Sequence, residues 1–291
     1  MSAGDLIRTF NGGVAIITGG ASGIGRGFGE ALAAQGCEVV LADLQIDLAR
    51  EAADGIKASG GKATAVEVDV TNHEQVVNLV QETVKRCDRL DYIFNNAGIV
   101  VFGEASEFEM RDWNQSIDVN LKGVIHGVNA AYPVMIEQGF GHIVNTASIA
   151  GLMPWPMEIG YSATKHAVVG LSTSLRAEAA HAGVRVSALC PGLVRTPIIH
   201  GGKFGRWIRD YPIDKVTELM ESTKPIPLDK FIPLALKQIA RNKAIIVIPG
   251  LYRIFWRMYR ISPSFGIGLS KRLFLGMRKQ LKKIEINPEK D

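Results

Sequence analysis

The sequence predicts a doubly wound α/β fold: a seven-stranded parallel sheet with helices on both faces, followed by a helical extension at the C-terminus. Three observations carry this expectation. Short apolar runs alternate with helix-length segments along most of the chain, the order produced when each strand is followed by a crossover helix. The runs are nearly continuous in apolar residues, as strands covered on both faces must be. Glycine and other turn residues fall at the junctions.

The first run, Val14–Ile17, is closed by Thr18-Gly19-Gly20, and Ile24–Gln35 has helical spacing. Glu38–Ala42 reads as the second strand, Ile46–Ser59 as a polar helix, Ala63–Val68 as the third strand and His73–Arg86 as the third helix. Leu90–Asn95 is the fourth strand. A long helix over Arg111–Gln138 leads to the strand His142–Thr146, and a helix over Ser162–Ala182 leads to the strand Arg185–Leu189. Ala244–Ile248 makes the seventh strand. Residues 195–228, rich in Pro, Gly and charge, break the rhythm as a lid loop beside a site does. Right-handed crossovers wind this order into a Rossmann-type sheet that binds ligands at the carboxyl ends of its strands. Residues 1–249 therefore read as one catalytic domain and 250–291 as an extension.

The composition of the 291 residues, 47% hydrophobic and 21% charged, excludes a disordered or collagen-like chain. Cys37, Cys87 and Cys190 show no metal or redox spacing, which points to buried thiols in a reducing compartment. With no signal-like N-terminus and no apolar run of membrane-spanning length, the expected location is cytoplasmic, with peripheral membrane contact left open. His73, His126, His142, His166, His181 and His200 lack ligand spacing, so no metal site is expected. The net charge of +4 hides a division: residues 250–291 carry ten lysines and arginines against Glu285, Glu289 and Asp291, while the preceding 249 residues are net −3. An acidic body argues against nucleic acid as a partner.

The turn after the first strand reads Thr18-Gly19-Gly20-Ala21-Ser22-Gly23-Ile24-Gly25. Glycines at 19, 23 and 25 let the backbone turn tightly and approach a pyrophosphate at a helix N-terminus, with Ser22 and Ile24 in the same turn. About 20 residues on, Asp43 ends the second strand, where a carboxylate can accept hydrogen bonds from both adenosine ribose hydroxyls and repel a 2′-phosphate. Neither Ser22 nor Leu44 supplies an offsetting cation, so NAD(H) is favoured over NADP(H); the structural alternative is that Asp43 caps a helix. Asp69, with Val70 beside it, ends the third strand and either meets the adenine edge or serves as a turn residue.

Tyr161 and Lys165 stand four apart at the start of a helix and so share a face. An ammonium beside a phenol favours phenolate, which would lower the Tyr161 pKa and let it exchange a proton with a substrate oxygen. Ser148, at the end of the fifth strand, is placed to hold the same oxygen.

The chain here resembles the short-chain dehydrogenase/reductase family, over roughly residues 10–250. The motifs that carry the resemblance are TGGASGIG at 18–25, Asn95-Asn96-Ala97-Gly98, Asn120, Ser148, Tyr161-Ser162-Ala163-Thr164-Lys165 and Pro191-Gly192, in order. The resemblance implies that Tyr161 is the general acid/base, that Lys165 tunes it and binds the nicotinamide ribose, and that Ser148 orients the substrate oxygen. It also implies that Asn120 holds a water linking Lys165 to solvent, unless its amide is spent on backbone. Asn96, Ala97 and Gly98 would line the adenosine side. Pro191, Gly192, Val194 and Thr196 would meet the nicotinamide, with Thr196 on the carboxamide or simply in the loop. A homodimer or homotetramer through the long helices at 111–138 and 162–182 is implied as well.

Family does not name a substrate. Ile149, Leu152, Met153, Trp155, Met157, Val194, Ile198 and Ile199, with Trp207 and Tyr211 in the lid, favour a lipophilic secondary alcohol or ketone, unless several merely pack the loop. A 3-oxoacyl-thioester reductase is the alternative within the class, and a dinucleotide-binding sensor or scaffold without turnover the alternative outside it. In the extension, Leu251–Ile261 carries Tyr252, Phe255, Trp256 and Tyr259 among arginines. After Pro263, Leu269–Ile284 aligns Leu269, Leu273, Met277, Leu281 and Ile284 in one stripe. Such helices suit an anionic membrane interface, or else cover the protein's own core or a subunit contact.

Overall fold

A computed structural model describes residues 9–200 and 204–286. Its strands are β1 (Val14–Thr18), β2 (Glu38–Asp43), β3 (Lys62–Glu67), β4 (Tyr92–Asn95), β5 (Val100–Phe102), β6 (Gly141–Thr146), β7 (Val184–Pro191), β8 (Gly205–Trp207) and β9 (Ile245–Ile248). The helices are α1 (Gly23–Ala33), α2 (Ile46–Ala58), α3 (His73–Cys87), α4 (Met110–Ile117), α5 (Gly123–Gln138), α6 (Ile159–Ala179), α7 (Ile213–Ser222), α8 (Leu228–Ala240), α9 (Leu251–Ile261) and α10 (Pro263–Ile286). Seven strands form a parallel sheet in the order β3-β2-β1-β4-β6-β7-β9. The order reverses between β1 and β4, so a crevice opens at their carboxyl ends.

The apolar continuity of the strands follows from their burial. Ala15 and Ile17 of β1 pack with Phe28 and Leu32 of α1 and Phe231 and Ala235 of α8. Ile16 points the other way, among Val76 and Val80 of α3 and Ala131 and Met135 of α5. Successive side chains must both be apolar because both faces are roofed. Helix ends are set locally: Asn72 accepts the Gln75 N–H at 3.2 Å to start α3, and Gly139, at φ +73°, ends α5.

Several expectations are corrected. The helix over 111–138 is two helices, α4 and α5, joined by a π-helical turn at Asp118–Lys122 that buries Asn120 completely. The helix expected over 162–182 begins at Ile159 and gives way to a 3₁₀ turn over Ala180–Ala182. The stretch 195–228 is no open loop. It holds a 3₁₀ turn at Pro197–His200, strand β8 paired in parallel with β5, and α7. Helix α8 has no counterpart in the sequence reading, and Pro233 lies within it. The second extension helix starts at Pro263, a residue suited to a first helical position, rather than at Leu269.

Candidate active site

A cavity of about 1060 Å³ runs along the carboxyl ends of the sheet. Gly19, Ser22, Gly23 and Ile24 line one end, with Asp43, Asp69 and Val70 beside them. Asn96, Ala97 and Gly98 follow, then Ser148, Tyr161 and Lys165, with Pro191, Gly192, Val194 and Thr196 opposite. Residues at or following the ends of β1, β2, β3, β4, β6 and β7 thus converge on one space. Gly25 and Asn120 stand outside its lining and act by support.

The glycine-rich turn is built for close approach. Gly19 and Gly23 have φ +66° and +52°, a region that favours glycine. A Cβ on Gly25 would lie 2.0 Å from the Gly19 carbonyl oxygen, so the turn closes against α1 only with glycine there. Thr18, unassigned by sequence reasoning, ties this turn to the next: its hydroxyl accepts the Asn96 and Ala97 N–H groups at 3.0 and 3.1 Å and donates to the Phe94 carbonyl at 3.3 Å. The Asn96 amide donates to the Thr18 carbonyl at 3.1 Å. Only its position at a strand end, before the glycines, could have signalled it.

Asp43 is buried and accepts the Ala21 N–H at 3.0 Å and the Gln45 N–H at 2.9 Å, one on each oxygen. Each oxygen keeps further acceptor capacity, and Asp43 borders the cavity. Asp69 accepts both the backbone N–H and the hydroxyl of Thr71, at 2.9 and 2.7 Å, so it is a turn residue that also borders the cavity.

At the other end, Ser148 accepts the Ala150 N–H at 3.1 Å, so its own hydroxyl proton is the one it has to donate, to Tyr161 or to a substrate oxygen. Lys165 is buried, donates to the Thr146 carbonyl at 2.7 Å and stands 5.4 Å from the Tyr161 ring centroid. Burial pushes its pKa down to about 8. The expected lowering of the Tyr161 pKa is not what the structure shows. Burial raises it, with the Glu158 carboxylate adding to the rise and a hydrogen bond with Ser148 opposing it. Desolvation is thus the largest influence on the phenol. Asn120 spends its amide on backbone, accepting the Ile99 N–H at 2.8 Å and donating to the Ile99 carbonyl at 2.9 Å.

Glu158 is a further residue that sequence reasoning missed. It is buried, borders the cavity one helical turn before Tyr161, and burial pushes its carboxyl up to about 8. Ile149, Met153, Trp155, Met157, Val194, Ile198 and Trp207 line the cavity as expected. Leu152 is buried in the cluster behind Ile149, Tyr211 packs edge-on against Trp207 at 5.5 Å, and the Ile199 side chain lies outside the described residues.

The C-terminal helices complete the wall. Tyr252 lies over Gly192, where a Cβ would come within 2.3 Å of its ring, so only glycine admits α9 at this position. Leu269, Ser270, Leu273, Phe274 and Met277 of α10 border the cavity. Ser270 donates to the Pro154 carbonyl at 3.1 Å, and Arg278 pairs with Glu104 at 2.7 Å. Of the stripe from Leu269 to Ile284, Leu269 and Met277 thus border the cavity, Leu281 is buried, and Leu273 borders the cavity while standing exposed at its rim. Tyr252, Phe255, Trp256 and Tyr259 of α9 likewise pack on the core.

Residues 13–202 match the sequence pattern described as short chain dehydrogenase. A cyclohexanol dehydrogenase from Acinetobacter sp. (strain SE19) is 38% identical over 214 residues, 72% of this chain and 84% of that protein. A short chain dehydrogenase/reductase from Burkholderia phymatum, solved in complex with NAD, is similar at TM-score 0.79 and 31% identity, covering 89% of this chain and 96% of that one. Levodione reductase is similar at TM-score 0.73 and 27% identity, covering 82% and 97%. With this fold, this ordered set of motifs and these relatives, the chain belongs to the short-chain dehydrogenase/reductase family of oxidoreductases.

Proposed function

We propose that the protein is an NAD(H)-dependent oxidoreductase that interconverts a hydrophobic secondary alcohol and its ketone. The observation that carries this reading is the single cavity joining the glycine-rich turn to Ser148, Tyr161 and Lys165 and ending in an apolar wall. The residues present fit a dinucleotide: positive-φ glycines at the N-terminus of α1 make a cradle that a Cβ would fill, and Asp43 offers acceptors beside it. The absence of a cation at Ser22 and Leu44 supports NAD(H) over NADP(H).

In this reading Gly19 to Gly25 hold the pyrophosphate and Asp43 the adenosine ribose, while Asn96 to Gly98 and Pro191 to Thr196 position the two ends. A nicotinamide held there would supply the hydride donor or acceptor for the substrate carbon. The protein moves the accompanying proton. Ser148, its oxygen already occupied by Ala150 N–H, donates its hydroxyl proton toward the substrate oxygen. Tyr161 gives that oxygen a proton in reduction and removes one in oxidation. Because burial keeps it a phenol in the free enzyme, it is poised as the acid; acting as the base requires added positive charge in the site. Lys165, oriented by the Thr146 carbonyl, has two further N–H groups for ribose hydroxyls. The second N–H and second lone pair of the Asn120 amide are what remain for a relay water.

The test is a panel of alcohols and ketones assayed with NAD+ or NADH by nicotinamide absorbance. Turnover of cyclic or branched apolar alcohols well above that of polyols is expected. Equal turnover of polyols would remove the hydrophobic substrate class.

A further inference from the structure

The inward docking of α9 and α10 leaves their other faces without a partner. On α9 the aromatic residues pack on the core, yet Leu251, Ile254, Met258 and Ile261 are exposed at 61%, 54%, 40% and 86%. Their spacing of three, four and three puts them in one stripe on the helix. Arg253, Arg257 and Arg260 run alongside it, exposed. On α10, Phe265, Ile267 and Leu275 are exposed among Lys271, Lys279, Lys282 and Lys283. Over residues 251–286 there are nine lysines and arginines and one carboxylate, Glu285.

An apolar stripe bordered by cations has two physical partners, an anionic lipid surface and a second copy of the chain. Charge decides between them. An isologous contact would bring two arginine rows together with no carboxylates to separate them. A bilayer containing anionic lipid instead accepts the aliphatic side chains at the headgroup boundary and the cations at its surface. Among the described residues no helix is long and apolar enough to cross a membrane, so the contact is one of helices lying in the interface.

We infer that α9 and α10 seat the protein on an anionic bilayer through Leu251, Ile254, Met258 and Ile261 and the adjoining cations, with the substrate cavity opening beside that surface. Leu273, Arg272 and Gln280 both border the cavity and are exposed, so the cavity reaches the exterior along α10. A substrate dissolved in the bilayer then enters along the helix that walls the pocket. This last step rests on the proposed activity toward hydrophobic alcohols or ketones; the docking itself does not.

Flotation of the full chain with phosphatidylcholine vesicles and with mixed phosphatidylcholine/phosphatidylglycerol vesicles tests it. Binding to the anionic vesicles alone is expected. Ile254→Asp/Ile261→Asp and, separately, Arg257→Glu/Lys271→Glu should each weaken binding about tenfold or more, and Ile254→Leu/Ile261→Leu should retain it. Turnover of a water-soluble alcohol should be unchanged in all three variants, since none of these side chains borders the cavity. No flotation of the full chain, or equal flotation of every variant, would overturn the inference. So would light scattering that shows a dimer dissolved by Ile254→Asp/Ile261→Asp. If flotation holds while no alcohol or ketone is turned over, the membrane contact stands and the proposed activity falls.

Discussion

The Tyr161 phenol and the Lys165 ammonium are both desolvated, and burial opposes the charged form of each: Tyr161 is raised and Lys165 is lowered to about 8. Spacing in the sequence places the two on one face of a helix but carries no information about dielectric, so the direction of the Tyr161 shift was not legible there. Replacing Tyr161 by Phe should leave NADH affinity, read by fluorescence titration, unchanged and lower kcat roughly 10²–10⁴-fold. Glu158 adds a second effect. It ionises above about 8 and its charge then raises the Tyr161 pKa. Glu158→Gln removes that charge, so the rise of kcat/KM with pH in alcohol oxidation should begin at lower pH, and an unmoved profile would separate the two groups. For Asp43, replacement by Ala should raise the ratio of kcat/KM with NADP+ to that with NAD+ about tenfold, as expected when a charged acceptor of ribose hydroxyls is lost.

Among the elements, the strands of the central sheet were readable to within about two residues because continuous apolar character is dictated by covering both faces. The interrupted ones were not. The π-helical turn at Asp118–Lys122 lies in a sequence that reads as plain helix, and it is tertiary bonding of Asn120 to Ile99 that accompanies the irregular turn. Helix α8 was hidden because Pro233 reads as a breaker, although its face of Phe231, Ile232, Ala235, Leu236 and Ile239 is buried against α1 and the sheet. The contact between α9 and β7's trailing turn is sharper still. Gly192→Ala would place a methyl within 2.3 Å of the Tyr252 ring. A loss of about 1–3 kcal/mol of stability is expected, read as a lower Tm together with weaker binding of bulky substrates.

At the scale of the molecule, His142 makes stability depend on acid. It is wholly buried in β6, shares a hydrogen bond with Ser187 at 2.8 Å, and burial with nearby Arg185 and Arg176 pushes its pKa from 6.5 to about 3. Between those values the unfolded chain binds the extra proton, so stability falls as pH drops, by up to about 1.4 kcal/mol per pH unit. His142→Gln, which retains a polar partner for Ser187, should flatten the dependence of Tm on pH over this window.

The sequence alone determined the sheet class, the glycine-rich turn with Asp43, and the Ser148–Tyr161–Lys165 constellation. The glycine turn and the Tyr161–Lys165 pair follow from short spacing, and Asp43 and Ser148 from their places at strand ends, where a doubly wound sheet gathers its ligand-facing residues. Only the tertiary structure decided that the stretch 195–228 contains β8 and α7, and that Leu269, Leu273 and Met277 of the α10 stripe border the cavity. Periodicity reveals that a helix has an apolar face but not what covers it. That is settled only when distant segments, here Gly192 and Tyr252 or Glu104 and Arg278, are brought into contact.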